Sequence, residues 1–363
     1  MTTLVVQGDK LIYNLNALQT TCGVPCIPVL KGNAYGLGDM VIAKILHEAG
    51  VNFFACSRIE EAERLAAAVP NAEILMLTPY SSEQDAERII DAKITATIGS
   101  YDSAVLLNGI AEKKGVKCRV HIKYDTGMGR FGFLPEEAEK AASAAKYLQN
   151  LEVCGCFTHL SNCFGKDKKG VFKQVELFVK CIEILKRNGV EPGLVHAANS
   201  AAALLYPELR LGAVRVGSAL LGRVSVKNKL GLKKVGKLES EICDVRWLPA
   251  KHNIGYANTY KTKKPMKIAV IPVGYADGLF VEKMKDTFRF RDILRFGLKD
   301  FKLLFKKEKL FCEIAGKRAA IIGRIGLCNV IADVSNLECN PGDIVSFETN
   351  PLFVNSNVQR SYI

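Results

Sequence analysis

Between residues 26 and 222, short apolar runs alternate with stretches in which apolar residues recur every three or four positions. The runs are Cys26–Leu30, Phe53–Ser57, Glu73–Thr78, Ile94–Ile98, Val116–Tyr124, Leu151–Thr158, Leu194–Ala197 and Ala213–Val216. Each is short, rich in β-formers and bounded by polar or turn residues, as a strand buried on both faces should be. Helical periodicity fills the gaps: Asp39 to Ala49 before Gly50, then segments from Ile59, Ser82 and Tyr101, then Pro135–Leu148, and Val171–Asn188 before Gly189. Regular βα alternation with eight strands predicts an α/β fold of the (β/α)8, TIM-type barrel class, placed over residues 8–232. From about residue 235 the pattern becomes short strand-like runs separated by turns: Leu238–Trp247, Lys267–Pro272, Arg318–Ile322, Val330–Asp333 and Ile344–Glu348. That predicts a smaller, all-β C-terminal domain over residues 233–363. A charged, aromatic-bearing stretch at about 280–317, partly helical in period (Phe288, Ile293, Leu294, Phe301), reads as a basic insertion.

A chain of 363 residues with 48% apolar content can fill two cores. The first residues lack the basic-then-apolar order of a signal peptide, and no run approaches eighteen apolar residues. The expectation is a cytoplasmic protein with no membrane partner. The twelve cysteines fall largely inside apolar runs, so they read as reduced, core-filling thiols. Cys154, Cys156, His159 and Cys163 lack a common zinc-ligand spacing, and no metal is expected. The formal charge of +13 concentrates in Lys227–Lys237 and Lys283–Lys309 without any nucleic-acid motif, which reads as a solvated basic face and no nucleic-acid partner.

Barrels of this class carry chemistry at the C-terminal ends of their strands. Several reactive residues fall there: Lys31 after the first strand, Arg130 after the fifth, His159 after the sixth, Asn199 and Ser200 after the seventh, and Arg215 on the eighth. A lysine against apolar walls can have its pKa lowered, as Schiff-base chemistry requires, although an isolated Lys-Gly is better read as a snorkelling side chain. Ser200 opens a short helical pattern, Ala201–Leu205, whose free N–H groups would favour a phosphate, and Gly217-Ser218 adds a second donor-rich turn. The same geometry is compatible with Ser200 as a plain N-cap.

Several motifs together resemble those of the alanine racemase family over nearly the whole chain. Ile27–Gly38, with Lys31-Gly32-Asn33-Ala34-Tyr35-Gly36, is similar to the signature around the lysine to which that family attaches pyridoxal 5'-phosphate. Lys123–Gly132 resembles its arginine loop, Thr158-His159 its ring-side histidine, and His196–Ala202 its Asn-Ser phosphate segment. Val214–Gly217, Asn253–Tyr260, Gly274–Gly278 and Val358–Tyr362 match further family segments. The resemblance implies that Lys31 carries the cofactor and serves as one base, while Tyr35, Asn199, Ser200, Gly217, Ser218 and Tyr362 serve the phosphate. Arg130 would serve the cofactor and the substrate carboxylate, aided by Leu327 and by Tyr275 at the entrance. His159 would hydrogen-bond the ring-binding arginine, and Lys123 matches a lysine carbamylated in some members. Arg215 would face the pyridine nitrogen; an arginine there keeps that nitrogen unprotonated and argues for racemisation over decarboxylation. Tyr256 would be the second base, donated by the partner of a homodimer, and a phenol needs nearby cations for that role.

The implied activity is interconversion of L- and D-alanine, the D-isomer feeding peptidoglycan precursors. The match frays at the substrate rim. Leu327 stands where the family has methionine, Cys328 where it has aspartate, Val281 where an arginine is common, and Gly32 where alanine follows the lysine. Racemisation of serine or another small amino acid is therefore an alternative, followed by a decarboxylase of the same fold and a non-catalytic cofactor-binding protein.

Overall fold

A computed structural model describes residues 1–164, 168–285, 287–305 and 309–363. The chain divides into two compact units, Gly8–Val235 and a second made of Met1–Gln7 with Gly236–Ile363.

In the first unit, the eight expected runs become eight parallel strands: Cys26–Pro28, Phe53–Cys56, Glu73–Met76, Ala96–Ile98, Cys118–Lys123, Leu151–Phe157, Leu194–His196 and Val214–Val216. Ladders and single bridges join each to the next: Val29 to Ala55, Leu75 to Thr95 and His196 to Ala213 bridge neighbouring strands, and Cys26–Pro28 pairs with Val214–Val216 to close the ring. Ile27, Val29, Ala55, Leu75 and Ala213 form one buried cluster of this ring. Helices cover the outside, each burying one stripe; Lys168–Arg187 buries Val171, Val175, Phe178, Ile182 and Leu185 at three- and four-residue spacing. That helix begins before Val171, and the segment expected from Pro135 opens as a 3-10 turn, Pro135–Glu137, before the helix Ala138–Tyr147.

A further helix, Gly8–Cys22, lies where no helix was expected, and buries Leu11, Leu15 and Leu18. Its buried Asn14 donates to the carbonyls of Leu220 (2.9 Å) and Lys233 (2.7 Å) and accepts from the Lys233 N–H (2.7 Å), so one amide pins the end of the unit to its beginning.

The second unit is built on a nine-stranded sheet. Its strands run in the spatial order Asp244–Leu248, Met266–Ile271, Val330–Asp333, Lys317–Ile322, Phe311–Ile314, Ile344–Phe347, Lys237–Glu241, Thr3–Val6 and Gln359–Tyr362. Among the described residues of this sheet, only Thr3–Val6 and Gln359–Tyr362 pair in parallel; the other ladders are antiparallel. The run Leu238–Trp247 proves to be two strands, because the chain changes partner at its middle: the Ile242 N–H bonds Asp343 and the Cys243 N–H bonds Val270. The expected insertion also ends earlier than residue 317. It contains the helix Phe290–Leu303, but Phe311–Ile314 is an interior strand between Lys317–Ile322 and Ile344–Phe347. Among the described residues, no helix is long and apolar enough to cross a membrane.

Candidate active site

The C-terminal ends of the barrel strands form a mouth where Lys31, Lys123, Arg130, His159 and Arg215 meet. The chain beyond the first strand makes an unusual turn. Gly32, Asn33, Ala34 and Tyr35 all have positive φ (64, 55, 51 and 54°), one turn of left-handed helix directly after Lys31. Outside glycine this conformation costs roughly 1–2 kcal/mol per residue, so the turn needs external support. Buried Glu61 supplies it: Oε1 accepts from the Gly32 N–H at 2.7 Å, while Oε2 accepts from the Ser57 and Arg58 N–H groups at 3.2 Å each. One carboxylate thereby ties the Lys31 turn to the start of the helix Ile59–Ala68.

Lys31 is accessible at the mouth, yet partial desolvation by the surrounding walls, then the charge of Arg130, push its pKa below that of an ordinary lysine; Arg215 acts the same way and Glu61 opposes it. Lys123 is buried, its Nζ 4.7 Å from the centre of the Phe157 ring, and burial followed by Arg215 and Arg130 pushes it down to about 7. Tyr35 moves the other way: burial, then Glu61, raise it to about 12, so at neutral pH its hydroxyl keeps the proton and donates.

Arg215 is fully enclosed. Nη1 donates to His196 Nδ1 (2.6 Å) and the His196 carbonyl (3.1 Å), and Nη2 to the carbonyls of Thr158 (2.6 Å) and Ala197 (3.1 Å). Nη2 also lies 3.5 Å from His159 Nδ1. Burial lowers the pKa of this arginine to about 9, which leaves it charged at neutral pH. Because arginine only donates, His196 Nδ1 accepts, and Nε2 carries the ring proton and donates to His121 Nδ1 at 2.9 Å. Burial first, then neighbouring cations, hold His121 down to about 3, His159 down to about 3, and His196 well below the usual range. All three rings are neutral at pH 7.

Arg130 stands on a loop built by one side chain. Asp125 Oδ1 accepts from the N–H groups of Gly127 (3.0 Å), Met128 (2.8 Å) and Gly129 (3.1 Å), and Oδ2 from that of Arg130 (2.6 Å). Burial works against the charge, but these backbone donors outweigh it and hold the carboxyl below its usual range. A side chain at Gly132, whose φ is 120°, would lie 2.8 Å from the Lys123 carbonyl and the Asp125 nitrogen, so this crossing requires glycine.

A donor cradle lies beside these cations. Ser200 Oγ accepts from the N–H groups of Gly217 (3.1 Å) and Ala219 (3.4 Å), leaving its hydroxyl proton to donate outward. A Cβ on Gly217 would lie 2.2 Å from Tyr35 Oη, so the missing side chain is what admits that phenol. The expected free N–H groups of the short helix are a correction. Asn199 caps it, its Oδ1 accepting from Ala201 and Ala202 at 3.1 Å each, while Nδ2 donates to the Leu160 carbonyl. Asn199 therefore positions the segment, and Ser200 is the helix's first residue rather than its cap.

In the second unit, Tyr256 and Leu327 line one cleft with Arg324 and Cys328. Tyr256 is 76% exposed on a short turn after Gly255. Tyr275 is bound to the same region, its N–H reaching the Gly326 carbonyl (3.2 Å) while Ala276 reaches that of Leu327 (2.9 Å). Tyr362 is on the strand paired with Thr3–Val6. The cysteines near His159 serve elsewhere: Cys154 accepts from Arg119 Nε at 3.1 Å, whereas His159 faces Arg215.

Sequence reasoning missed Glu61, Asp125 and His121. Asp125 had a readable signal, an aspartate followed by closely spaced glycines and an arginine. Glu61 had a partial one, its place three residues after Arg58 at a helix start, but its bond to Gly32 and the contact of His121 with His196 come from distant segments.

The donor set fits a doubly anionic, phosphate-bearing aldehyde. Lys31, Lys123, Arg130 and Arg215 gather at one mouth, none of them in an ion pair among the described residues, and neighbouring cations depress the pKa of Lys31, Lys123 and His159. An amine of lowered pKa stands ready, and a Ser/Gly/Tyr cradle can take the phosphate.

The chain also resembles known proteins. The family model for the alanine racemase N-terminal domain matches residues 6–224, and that for the alanine racemase C-terminal domain matches residues 235–351. An alanine racemase of Methanococcus maripaludis is 34% identical over 324 residues, 88% of this chain and 80% of that protein. The solved alanine racemase of Clostridium difficile 630 superposes with a TM-score of 0.85 at 27% identity, covering 100% of this chain and 95% of that one. The alanine racemase of Bartonella henselae, solved with covalently bound pyridoxal phosphate, shares the fold at a TM-score of 0.79 and 24% identity, covering 100% and 99%.

Proposed function

This chain belongs to the alanine racemase family, and on that premise we propose that it interconverts L- and D-alanine with pyridoxal 5'-phosphate as its cofactor. The observation that carries the reading is Lys31: an amine of lowered pKa, presented by a strained turn into a mouth of cations. When bound, the cofactor supplies the electron sink that lets a substrate α-proton leave.

The protein's part is binding and proton handling. Lys31 holds the cofactor and takes or returns the α-proton on one face, a task its lowered pKa suits. Tyr35 and Ser200 donate toward the phosphate, Gly217 gives the phenol room, and Ser218 and Tyr362 join them in this reading. Arg215, with a donor on every nitrogen, leaves a pyridine nitrogen unprotonated, and His196, His121 and His159 keep it fixed. Arg130, held by the Asp125 loop, takes the substrate carboxylate with Leu327, and Tyr275 guards the entrance. The opposite face needs a second base, and Tyr256 of a second copy fills that role in an obligate homodimer, its exposure leaving it available to another chain. Lys123, brought down to about 7, has the neutral amine that adds CO2 to give a carbamate and a proton, and the resulting anion would pair with Arg130. Growth in 13C-bicarbonate should then give a carbamate carbonyl resonance that Lys123→Ala abolishes. We place the enzyme in the cytoplasm, making D-alanine for peptidoglycan.

The deciding experiment follows α-proton exchange by NMR in D2O with the cofactor present, for L-alanine and L-serine separately. Exchange of alanine with loss of optical activity, reduced by about 10²–10⁴-fold or more in Lys31→Ala, is the expected result. Preferential exchange of serine would reassign the substrate to serine. No exchange of either substrate would sink the racemase reading.

A further inference from the structure

The helix Phe290–Leu303 belongs to none of this machinery. At 100° per residue, Phe290, Ile293, Leu294, Leu298 and Phe301 fall within one arc roughly 140° wide. All five are exposed, and Leu304 and Phe305 continue the apolar run past the helix end at 75% and 79% exposure. Asp292, only 2% exposed, is gripped by Arg289 (2.6 Å) and Arg295 (3.2 Å), and half-buried Phe296 lies under Arg295 and Lys285. Arg291 and Lys302 fall just beyond one edge of the apolar arc, and Arg295 and Lys299 farther round the polar face. From Lys283 to Lys309 the sequence has ten Lys and Arg against four Asp and Glu. Two of those acids, Asp292 and Asp300, are already paired inside the segment, the latter with Lys285. The outward face is thus a broad apolar arc bordered by unbalanced positive charge, larger than a soluble surface ordinarily leaves in water.

We propose that this helix is a peripheral attachment site for an anionic phospholipid surface. Its apolar arc matches the acyl boundary in chemistry, and the bordering Arg and Lys side chains are long enough to reach headgroup phosphates. Its fourteen residues span about 21 Å, which suits a helix lying in the interface and is too short to cross a bilayer. A second copy is disfavoured because it would set the basic segment against itself in a chain already at +13. Nucleic acid would satisfy the charges but leave the aliphatic side chains in water. The sequence-based expectation of no membrane partner rested on the missing signal-peptide pattern and membrane-length apolar run, neither of which bears on a helix lying in the interface.

The test is flotation of the full-length, cofactor-loaded protein with vesicles of equal parts phosphatidylglycerol and phosphatidylcholine, beside phosphatidylcholine alone, at physiological salt. Wild type should float about ten-fold or more better with the anionic vesicles. The variants Leu294→Gln/Leu298→Gln/Phe301→Gln and Arg291→Gln/Lys302→Gln should each lose that binding about ten-fold, with unchanged melting and racemisation. Absence of flotation, or equal flotation with neutral vesicles, overturns the proposal. Sedimentation showing an oligomer that the apolar variant alone dissolves, without vesicle binding, would give the face to a second copy. Retention of the protein on RNA but not on vesicles would give it to nucleic acid.

Discussion

Glu61 concentrates the logic of the mouth in one side chain. It is a buried carboxylate with no cation paired to it among the described residues, and its acceptors are taken up by three backbone N–H groups. An amide in its place would present an N–H₂ to at least one N–H donor and strand it, at a cost of about 1–3 kcal/mol. Glu61→Gln should therefore lower the urea midpoint. Because Glu61 is the charge that opposes the depression of Lys31, it should also lower the Lys31 pKa further. The pH dependence of Lys31 modification by acetic anhydride reads that shift directly, and an unmoved midpoint would mean that the carboxylate acts on the turn alone. Gly217 is the complementary case, a residue that works by being absent. In Gly217→Ala the new methyl would sit 2.2 Å from Tyr35 Oη, so the phenol must swing away from the cradle. Losing one donor at that point should weaken cofactor affinity about ten-fold, measured by fluorescence titration with circular dichroism confirming the fold.

At the scale of elements, the loop after Lys123 shows how a flexible sequence becomes a fixed support. Three glycines would leave Arg130 mobile, but Asp125 gathers four successive N–H groups on one carboxylate. Asp125→Ala should speed amide exchange at Met128 and Arg130 by about ten-fold or more and lower activity, while amides of the strand Cys118–Lys123 stay protected. The eight barrel strands were legible because a parallel strand buried on both faces must be a short apolar run. The turns after them were legible as sites because this topology gathers strand ends at one rim. The helix Gly8–Cys22 escaped because Leu11, Leu15 and Leu18 are spaced among polar residues and begin at a glycine just past a short strand. Phe311–Ile314 was hidden by the basic run before it, although its pairing makes it an interior strand. The reach of Glu61 to Gly32 and the contact of His121 with His196 are properties of tertiary structure, set by groups tens of residues away, and no local pattern encodes them.

Across the whole barrel, the charge pattern carries a cost that acid should expose. Arg215, His196 and His121 form a hydrogen-bonded line through the barrel interior, and its polarity is fixed because arginine can only donate. Both histidines are buried and neutral, with His121 near 3 and His196 well below its usual range. Unfolding returns each to a pKa of about 6.5, so below that pH the unfolded chain binds protons that the folded one refuses. Stability from this source is complete above pH 6.5 and falls as the pH drops toward 3, by up to about 1.4 kcal/mol per pH unit for each ring. Carboxylates such as Asp125, whose folded pKa is depressed, lose their contribution only lower, below the ordinary Asp range. The interval from pH 6.5 to 5 therefore isolates the histidines. Urea midpoints should fall steeply across it in the wild type. His121→Gln keeps an acceptor for the His196 ring proton but cannot titrate, so its midpoint should fall with a clearly shallower slope. An identical slope in the two proteins would show that the buried histidine line does not set the acid limit of the fold.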